Sequence, residues 1–421
     1  MSKDPFLVEL RSQRSPKIAA VLIALVITAV VVVNAIGGGI ALIFDILVLA
    51  AAIAVYLTCD IVTMPPYFRR KHRPAPFREG EAEGGRLEIR DGIPILMLKG
   101  ASRQMGRQAG ILIREQLHVL VRDFLNFIFR NPARKRAALA HAHSLEKHIP
   151  AQYLEELRGT SETSGVPYEE LLLANTFIED YRIFLCSTLA ARGEATADGK
   201  VIMGRNLDFI SAGVLQHYNM VTIYHPDHGH PFAAMTYPGF IGAVTGMNAR
   251  GLTSAMLISF TAGFSGECVP STIAFRMLLE RCATVEEATE FLRGNPIAGP
   301  FNLSLVDAEK GMRVAELAYD HFAVREAEND VLTCTNRFYA GSRSGSRPDW
   351  RMRLMKGTAR DERGKFNVER MQRAMRKVYL FLVNLQCMVL LPEDRVVHIS
   401  FGKIPAAKGQ FKRLDLREYL G

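Results

Sequence analysis

The stretch from Cys186 to Asp208 constrains the fold more than any other part of the chain. It reads as two extended runs joined at the tight-turn sequence Ala-Asp-Gly-Lys, residues 197–200, so it predicts a β-hairpin. Folding back about that turn brings Cys186 close to Arg205 and Asp208. Because the thiolate is the reactive form of cysteine and a nearby cation favours it, this grouping is typical of an activated nucleophile.

A long apolar stretch lies near the start of the chain. No charged residue occurs over residues 18–44, Asp45 interrupts, and residues 46–59 are apolar again. A bilayer-spanning helix needs about 20 apolar residues, so this length fits two spans better than one. Three glycines at 37–39 mark the break, because glycine is a poor helix former. We therefore expect a transmembrane helical hairpin, preceded by a basic segment, within residues 1–63.

The charges beside this stretch indicate an orientation. Lysine or arginine stands at positions 3, 11, 14 and 17 before it and at 69, 70, 71 and 73 after it, whereas the connecting loop has none. The positive-inside rule therefore predicts a multi-pass membrane protein with both ends and the large domain in the cytoplasm. An ion pathway would need several ionisable groups within the membrane, and only Asp45 is a candidate, so we interpret the hairpin as an anchor.

The formal net charge of +9 raises the question of nucleic-acid binding. A good part of the excess flanks the apolar hairpin, where anionic lipid headgroups account for it. The sequence has neither a zinc-ligand spacing nor an aromatic-basic RNA motif. We therefore expect the membrane as a partner, and no nucleic acid, metal or cofactor. The six cysteines are widely scattered, which fits a reducing compartment rather than a disulfide framework.

The rest of the chain divides by composition and periodicity. Residues 64–85 are rich in proline and charge and predict a linker. A domain over 86–421 follows, with mostly helical periodicity in 86–185 and short β-type runs with a few helices in 186–421. A long helix is expected over about 366–385. Helices followed by many antiparallel strands predict an α+β fold.

Several short motifs match one known group of enzymes in their order and spacing. The matching segments are residues 99–110, Cys186, residues 204–208 (Gly-Arg-Asn-Leu-Asp), residues 242–252, residues 302–307 and the pair Thr335-Asn336. On these residues the chain resembles the N-terminal-nucleophile hydrolases. The nearest branch is the acyl-coenzyme A:6-aminopenicillanate acyltransferase-like family, with acid ceramidase and choloylglycine hydrolase as more distant relatives. The resemblance covers roughly residues 86–401 and implies a four-layer αββα fold, in which two antiparallel sheets lie between helical layers.

The resemblance implies that the nucleophile becomes N-terminal when the chain cuts itself between Leu185 and Cys186. The thiol would attack the carbonyl of Leu185, and hydrolysis of the thioester would free the α-amino group of Cys186. An α-amine has a pKa of about 8, so it can accept the proton of its own thiol. In this scheme Asp208 orients the amine and Arg205 favours the thiolate. The alternative for Arg205 and Asp208 is an ordinary ion pair at a strand end.

Further site residues follow from the same resemblance. Asn336 is expected to donate its side-chain amide to the oxyanion of the tetrahedral intermediate. A backbone N–H near Asn248 is the candidate second donor, although Asn248 fits a turn residue equally well. Relatives carry an arginine after the Thr-Asn pair, and Arg351 is preferred among three competitors: Arg347, Arg351 and Arg353. Three other polar residues of the motifs are interpreted as structural: Asn302, Asp307 and Glu316.

The sequence thus predicts a membrane-anchored, self-processing cysteine amidohydrolase or acyltransferase that forms an acyl-thioester on Cys186. Its expected substrate is a small or lipid-like acyl-amide or acyl-thioester. Two alternatives stay open: a non-catalytic membrane-tethered scaffold that kept the fold, and a papain-like cysteine protease. A papain-like enzyme would need a helix-borne cysteine, whereas Cys186 begins a predicted strand. The sequence predicts neither the acyl group, the leaving amine, the choice between hydrolysis and transfer, nor an oligomeric state.

Overall fold

The computed structural model of the protein describes residues 74–179, 185–260, 268–341 and 348–421. Over these residues the chain combines β-sheets with helices, so the predicted α+β class is confirmed. Of the predicted linker, only the part from residue 74 onward is described. Within it, Gly80–Ala82 forms a strand that pairs with the next strand of the chain.

The predicted transmembrane hairpin falls outside the described residues. Within the ranges that the structure describes, no helix is both long enough and apolar enough to cross a membrane. The predicted multi-pass membrane localisation, with its cytoplasmic orientation and its membrane partner, is corrected on this finding. It rested only on the hydropathy and flanking charge of residues 1–73. Hydropathy measures the preference of a segment for an apolar environment and does not by itself establish a spanning helix.

The strands and helices are numbered along the chain. The strands are β1 (Gly80–Ala82), β2 (Gly85–Arg90), β3 (Ile93–Gly100), β4 (Leu185–Ala191), β5 (Ile202–Asp208), β6 (Met220–Pro226), β7 (Phe232–Thr236), β8 (Thr245–Asn248), β9 (Thr253–Ile258), β10 (Phe301–Val306), β11 (Met312–Ala318), β12 (His321–Glu326), β13 (Val331–Cys334), β14 (Asn384–Leu391), β15 (Val396–Phe401) and β16 (Lys412–Asp415). The α-helices are α1 (Ser102–Leu112), α2 (Arg114–Val119), α3 (Asn126–Ile128), α4 (Pro132–Glu146), α5 (Ala151–Ser164), α6 (Tyr168–Thr176), α7 (Ser271–Arg281), α8 (Val285–Gly294), α9 (Trp350–Asp361), α10 (Val368–Met375) and α11 (Arg417–Leu420). A π-helical segment, Leu120–Leu125, joins α2 to α3.

The larger sheet contains ten strands in the spatial order β1-β2-β3-β6-β7-β8-β9-β10-β11-β12. Neighbouring strands are antiparallel except for β3 and β6, which run parallel with Ile95 opposite Val221. The chain between these two strands includes the helices α1 to α6 and the β4–β5 hairpin. Strands that precede Cys186 are therefore hydrogen-bonded into a sheet whose other members follow it.

The smaller sheet contains six antiparallel strands in the order β13-β4-β5-β14-β15-β16. Its two faces have different neighbours. Thr188 of β4 points toward the larger sheet, where its Oγ1 lies 2.7 Å from Ser304 Oγ of β10. Leu189, on the opposite face, is buried in an apolar cluster with Met355 of α9 and Met375 of α10. Side chains alternate along a strand, so the hairpin faces the other sheet on one side and helices on the other.

Helices cover the larger sheet on the side away from the smaller one. Phe275 of α7 packs edge-on against Phe301 of β10, whose side chain points opposite to that of Ser304. Farther along the sheet, α1 packs on β3 and against α5. A Cβ atom on Gly106 would clash with the backbone of Glu156, and one on Gly159 would clash with the backbone of Arg103. Glycine at both positions lets α1 and α5 approach closely.

A buried ionic cluster connects the helices before Cys186 to those after it. Arg276 of α7 is fully buried, with its Nη2 2.7 Å from Glu156 Oε2 of α5 and its Nε 2.8 Å from Glu280 Oε1. Tyr153 of α5 donates its hydroxyl to Glu280 at 2.5 Å. The guanidinium also lies over the ring of Tyr224, 4.3 Å from its centroid. One guanidinium thus contacts both carboxylates, which offsets part of the cost of removing these charges from water.

The long helix expected over about 366–385 is wrong. The structure has α10 over Val368–Met375 only, and β14 starts at Asn384. Apolar residues continue from the helix into the strand, so the run lacks a clear change of period between them. Strand β14 lies between β5 and β15 in the middle of the smaller sheet and is buried on both faces. Such a strand reads as a continuous apolar run.

Candidate active site

The β4–β5 hairpin predicted from the sequence is present. Cys186 lies opposite Leu207, and Thr188 lies opposite Arg205. Because side chains alternate across a strand, Cys186 and Arg205 share the face that looks toward the larger sheet. Arg205 Nη2 lies 3.8 Å from Cys186 Sγ. Asp208 is opposite Leu185, one residue before the cysteine, and belongs to the other face.

The thiol of Cys186 is buried, with 1% of the residue exposed. Burial raises the pKa of this thiol, because the thiolate loses its hydration. The Arg205 guanidinium lowers the pKa of the thiol, the Asp208 carboxylate raises it, and the backbone N–H of Asp208 and the Arg351 guanidinium lower it to a smaller extent. The uncleaved chain therefore holds a protonated thiol beside groups that stabilise its ionised form.

Asn336 lies two residues beyond β13 and holds the backbone at the nucleophile. Its Oδ1 accepts hydrogen bonds from the Cys186 backbone N–H at 2.8 Å and from Arg351 Nη2 at 2.9 Å. Its Nδ2 donates to the carbonyl of Ile258 at 2.7 Å. Two donors converge on Oδ1, so the orientation of the amide is fixed. The structure thus brings Asn336 and Cys186 together, with the oxygen of the amide toward the cysteine.

Arg351 is the arginine that reaches the site. Its Nη1 donates to the Cys186 carbonyl at 3.0 Å and lies 4.0 Å from Asp208 Oδ2. Asp349 caps the start of α9 by accepting from the Met352 N–H, and this cap positions Arg351 in the first turn. Arg353 is exposed on the same helix, and Arg347 falls outside the described residues.

Asp208 is fully buried at the end of β5. Its Oδ1 accepts a hydrogen bond from Asn384 Nδ2 at 2.7 Å, whereas its Oδ2 has no hydrogen-bond partner within the described ranges. Burial raises the pKa of this carboxyl to about 7, although the Asn384 amide and Arg351 lower it. Asn384 was not among the predicted site residues. A pair of amides, Asn384 and Gln386, inside an otherwise apolar run was the available signal.

The remaining candidates have structural partners. Asn248 Nδ2 donates to the carbonyls of Leu279 and Cys282, and its Oδ1 accepts from Arg250 N and Leu252 N. Its own backbone N–H donates to the Leu252 carbonyl. The side chain of Asn248 thus holds a turn. Its backbone N–H is already bonded to the Leu252 carbonyl and is not available as the second oxyanion donor.

Asn302, Asp307 and Glu316 hold backbone segments, as their structural interpretation predicts. Asn302 Nδ2 donates to the carbonyls of Thr335 and Arg337 on either side of Asn336. Asp307 accepts from backbone N–H groups at the start of α8 and in the β10–β11 turn. Glu316 accepts from the N–H groups that follow Phe338. Asn302 therefore supports the site by fixing the strand end that carries Asn336.

An apolar cavity lies beside the hairpin. The space between its lining atoms measures about 740 Å³, open mouth included. Its wall combines residues that precede Cys186, among them Phe124 and Leu171, with Leu207, Phe209 and Tyr237. Leu207 is the residue opposite Cys186 in the hairpin, so the cavity reaches the strand pair that carries the nucleophile. The π-helical segment Leu120–Leu125 forms part of the wall, and such segments often occur at functional sites.

A comparison with family models matches part of the chain. The model described as Acyl-coenzyme A:6-aminopenicillanic acid acyl-transferase matches residues 195–380. The chain is related to the acyl-coenzyme A:6-aminopenicillanic acid acyl-transferase family. The family resemblance predicted from the sequence is thus confirmed over the matched residues.

Individual relatives agree with this assignment. Protein dcd1B of Dictyostelium discoideum is 28% identical over 230 residues, which cover 48% of this chain and 46% of that protein. Acid ceramidase of Rattus norvegicus is 27% identical over 179 residues, which cover 36% of this chain and 43% of the relative. The chain spans about half the length of the curated relatives it matches.

A solved structure of a Caenorhabditis elegans N-acylethanolamine-hydrolyzing acid amidase ortholog aligns with a TM-score of 0.41 at 17% identity. The alignment covers 49% of this chain and 93% of that one.

Proposed function

We propose that this protein is a self-processing cysteine N-terminal-nucleophile enzyme that hydrolyses or transfers the acyl group of an N-acyl amide through a thioester on Cys186. The observation that carries the proposal is the convergence on one residue. The Cys186 thiol contacts Arg205, its N–H is held by Asn336, and its carbonyl is held by Arg351.

Self-cleavage would begin with attack of the Cys186 thiol on the carbonyl carbon of Leu185. A C–S bond forms, the Leu185–Cys186 C–N bond breaks, and the thiol proton passes to the departing nitrogen. Water then hydrolyses the thioester, which gives a carboxylate on Leu185 and a free thiol and α-amine on Cys186. In the uncleaved chain, Asn336 Oδ1 already accepts a hydrogen bond from the nitrogen that departs. The resulting amine would keep that acceptor.

In the processed enzyme, the α-amine would take the proton from its own thiol, because its ordinary pKa of about 8 is close to neutral. The thiolate would attack the acyl carbonyl of the substrate, beside the Arg205 guanidinium. The amine would then return the proton to the leaving nitrogen, which leaves an acyl-thioester on Cys186. Water releases the acid, or a second amine accepts the acyl group. Asp208 Oδ2, which lacks a hydrogen-bond partner in the described part of the chain, would orient the ammonium.

Stabilisation of the oxyanion is the role proposed for Asn336. In the uncleaved chain its Nδ2 donates to the Ile258 carbonyl. To donate to an oxyanion, Nδ2 would have to break this hydrogen bond and form one to the substrate. Arg351 Nη2, which contacts the same amide, stays bound to Oδ1 while this occurs. Preorganised donors of this kind contribute about 3–4 kcal/mol to a transition state.

The cavity supports an apolar acyl group as the part of the substrate that is bound. Its lining is almost entirely carbon, and it reaches Leu207 opposite the nucleophile. Burying a methylene group in such a space contributes about 0.8 kcal/mol, so affinity should increase with acyl length until the cavity is full. An acyl chain would lie between helices that precede Cys186 and strands that follow it.

Mass spectrometry of the purified full chain tests the proposal. We expect two fragments, residues 1–185 and 186–421, and we expect Cys186→Ala to remain one chain. Cys387→Ala is the matched control, because Cys387 is equally buried in the same sheet, on strand β14, and its replacement should still allow cleavage. Incubation with N-acyl amides of increasing chain length should then add an acyl mass to the 186–421 fragment.

Two results would contradict the proposal. Cleavage of the Cys186→Ala chain at the same bond would show that another group is the nucleophile. A processed protein that gains no acyl mass from any N-acyl amide or acyl-thioester would favour the non-catalytic scaffold. The papain-like alternative is disfavoured because Cys186 lies in a strand and not at the start of a helix.

A further inference from the structure

Asn384 is the first residue of β14 and lies at an irregularity of the smaller sheet. It pairs with Asp208, but the next paired residue of β14 is Gln386, opposite Leu207. Leu385 is thus an extra residue on one strand, which is the definition of a β-bulge. Bulges redirect side chains and are frequent next to active sites. This one directs the Asn384 side chain at the Asp208 carboxylate.

The orientation of the Asn384 amide is fixed from its other end. Its Oδ1 accepts a hydrogen bond from the Ala407 backbone N–H at 2.7 Å. A backbone N–H can only donate, so the amide oxygen must face Ala407 and the NH₂ group must face Asp208. Ala407 is held in a short 3-10 turn over Ala406–Lys408, where Ser400 Oγ donates to the Ala406 carbonyl at 2.7 Å. The donor that reaches Asp208 is therefore anchored to the backbone.

Within the described residues, the other groups around Asp208 leave its Oδ2 without a hydrogen bond. Arg351 approaches from α9, with its Nη1 4.0 Å from Oδ2, and the Leu380 N–H approaches from the segment before β14. Arg205 on the same strand, Cys186 on β4 and Cys387 on β14 are the other titratable groups that interact with it. Within the described ranges, Asn384 alone donates a side-chain hydrogen bond to Asp208, and this bond of 2.7 Å occupies Oδ1.

We propose that Asn384 is a positioning residue for the reaction, which holds the Asp208 carboxylate by Oδ1 so that Oδ2 faces the α-amine of Cys186 in its ionised form. This inference rests on the proposed function, because it requires Cys186 to acquire a free amine. Asn384 itself touches neither the thiol nor the substrate. Asn384 would act on the reaction indirectly, by fixing the rotamer of the Asp208 side chain and favouring its ionised form.

The expected pH dependence has a definite sign. Burial raises the pKa of Asp208 to about 7, and the hydrogen bond from Asn384 is the largest influence that lowers it. Removing the amide removes a bond made to the charged form, so the pKa of Asp208 increases further. At a pH below neutral the variant would then hold less ionised Asp208 than the wild type. Activity should be lost at the acidic end and retained at the alkaline end.

The test compares Asn384→Ala with the wild type over pH 5.5–9. We expect the acidic limb of turnover by the processed enzyme to move upward by about one pH unit, the size of shift that a lost hydrogen bond to a buried carboxylate produces. Turnover should then fall about tenfold at pH 6 and stay within about twofold of the wild type at pH 8.5. A profile that is lowered by the same factor at every pH would overturn the proposal, because a purely structural role predicts that result.

Gln386→Ala is the matched control. Gln386 is a buried amide on the same strand, its Nε2 donates to Asn219 Oδ1 at 2.8 Å, and no hydrogen bond joins it to Asp208 in the described ranges. It should lose similar thermal stability without a shift of the acidic limb. If Asn384→Ala does not fold, Asn384→Asp keeps the shape of the side chain and replaces the donor by an acceptor. The Asn384→Asp variant should shift the acidic limb of the pH profile of turnover at least as far as Asn384→Ala. An acidic limb that stays in place in this variant would also overturn the proposal.

Failure of this inference is distinguishable from failure of the proposed function. An unmoved limb in Asn384 variants that still cleave at Leu185–Cys186 rejects only the positioning role. Cleavage that persists in Cys186→Ala rejects the nucleophile, and with it the amine that Asp208 would orient.

Discussion

Among the described residues, two arginines are buried completely, Arg276 and Arg205, and they have opposite surroundings. Arg276 lies between two carboxylates at 2.7 and 2.8 Å and over an aromatic ring. The side chain of Arg205 donates to the sulfur of Cys186 at 3.8 Å, and its Nε and Nη1 have no hydrogen-bond partner in the described ranges.

The difference suggests different roles for the two charges. Removing a guanidinium from water costs several kcal/mol, and at Arg276 the two glutamates offset much of that cost. Among the described residues no carboxylate forms an ion pair with Arg205, although Asp208 on the same strand interacts with it electrostatically. A buried cation with so little compensation is stabilised when an anion forms next to it, and the proposed reaction forms a thiolate there. Under the proposed function, Arg205 would stabilise a charge that appears only during the reaction.

The largest expected effect comes from Arg205→Met. We expect self-cleavage and turnover to fall roughly 10²- to 10³-fold, because the developing anion loses its cation. The melting temperature should change by only a few degrees or increase, since a side chain with unpaired buried donors is replaced by an apolar one of similar size. Arg205→Lys, which keeps the charge, should recover part of the rate. A large loss of melting temperature with normal cleavage would make Arg205 a structural residue like Arg276.

Arg276→Met should give the reverse pattern. It leaves Glu156 and Glu280 buried without their cation, so the free energy of unfolding should fall by about 3–5 kcal/mol. Denaturant titration of the uncleaved Cys186→Ala chain measures this without interference from processing. The triple variant Arg276→Met, Glu156→Gln, Glu280→Gln should regain most of the loss, because no unpaired charge remains. If the single variant is as stable as the parent, the cluster does not hold α5 and α7 together.

The smallest effect is expected for an exposed arginine. Arg363 lies 2.8 Å from Glu194, and 42% and 83% of the two side chains are exposed. Water screens such pairs, so Arg363→Ala should change the free energy of unfolding by at most about 0.5 kcal/mol and leave turnover unchanged. The same titration and turnover assay apply. If Arg363→Ala changes the free energy of unfolding by more than about 1 kcal/mol, the exposure of an arginine does not predict the effect of replacing it.

Local sequence patterns predicted the features that are set by residues close together in the sequence, such as turns, single strands and short helices. The turn sequence at residues 197–200 and the extended runs beside it were enough to predict the β4–β5 hairpin and the approach of Arg205 to Cys186. The short β-type runs and the few helices expected over 186–421 are also present in the described residues. The choice of Arg351 among three arginines came from the family resemblance, and the structure brings it to Cys186.

Contacts between distant segments were not visible in the sequence. Glu156 and Arg276 are 120 positions apart, and no local pattern links them. Asn384 was missed because the run that contains it was interpreted as helix, whereas the pairing with β5 makes it a strand and the bulge aims its side chain. Pairing of this kind is decided by tertiary structure, which overrides the propensity of a short apolar run.

The parallel pairing of β3 with β6 has a consequence for the order of events in folding. The bond between Leu185 and Cys186 lies on the chain between these two strands. While that bond is intact, the two segments meet as parts of one molecule, at a rate independent of concentration. After a cut there, a protein that unfolds must reassemble from two pieces, so its recovery becomes second order and slows on dilution. The processed form would then owe its persistence to the height of its unfolding barrier.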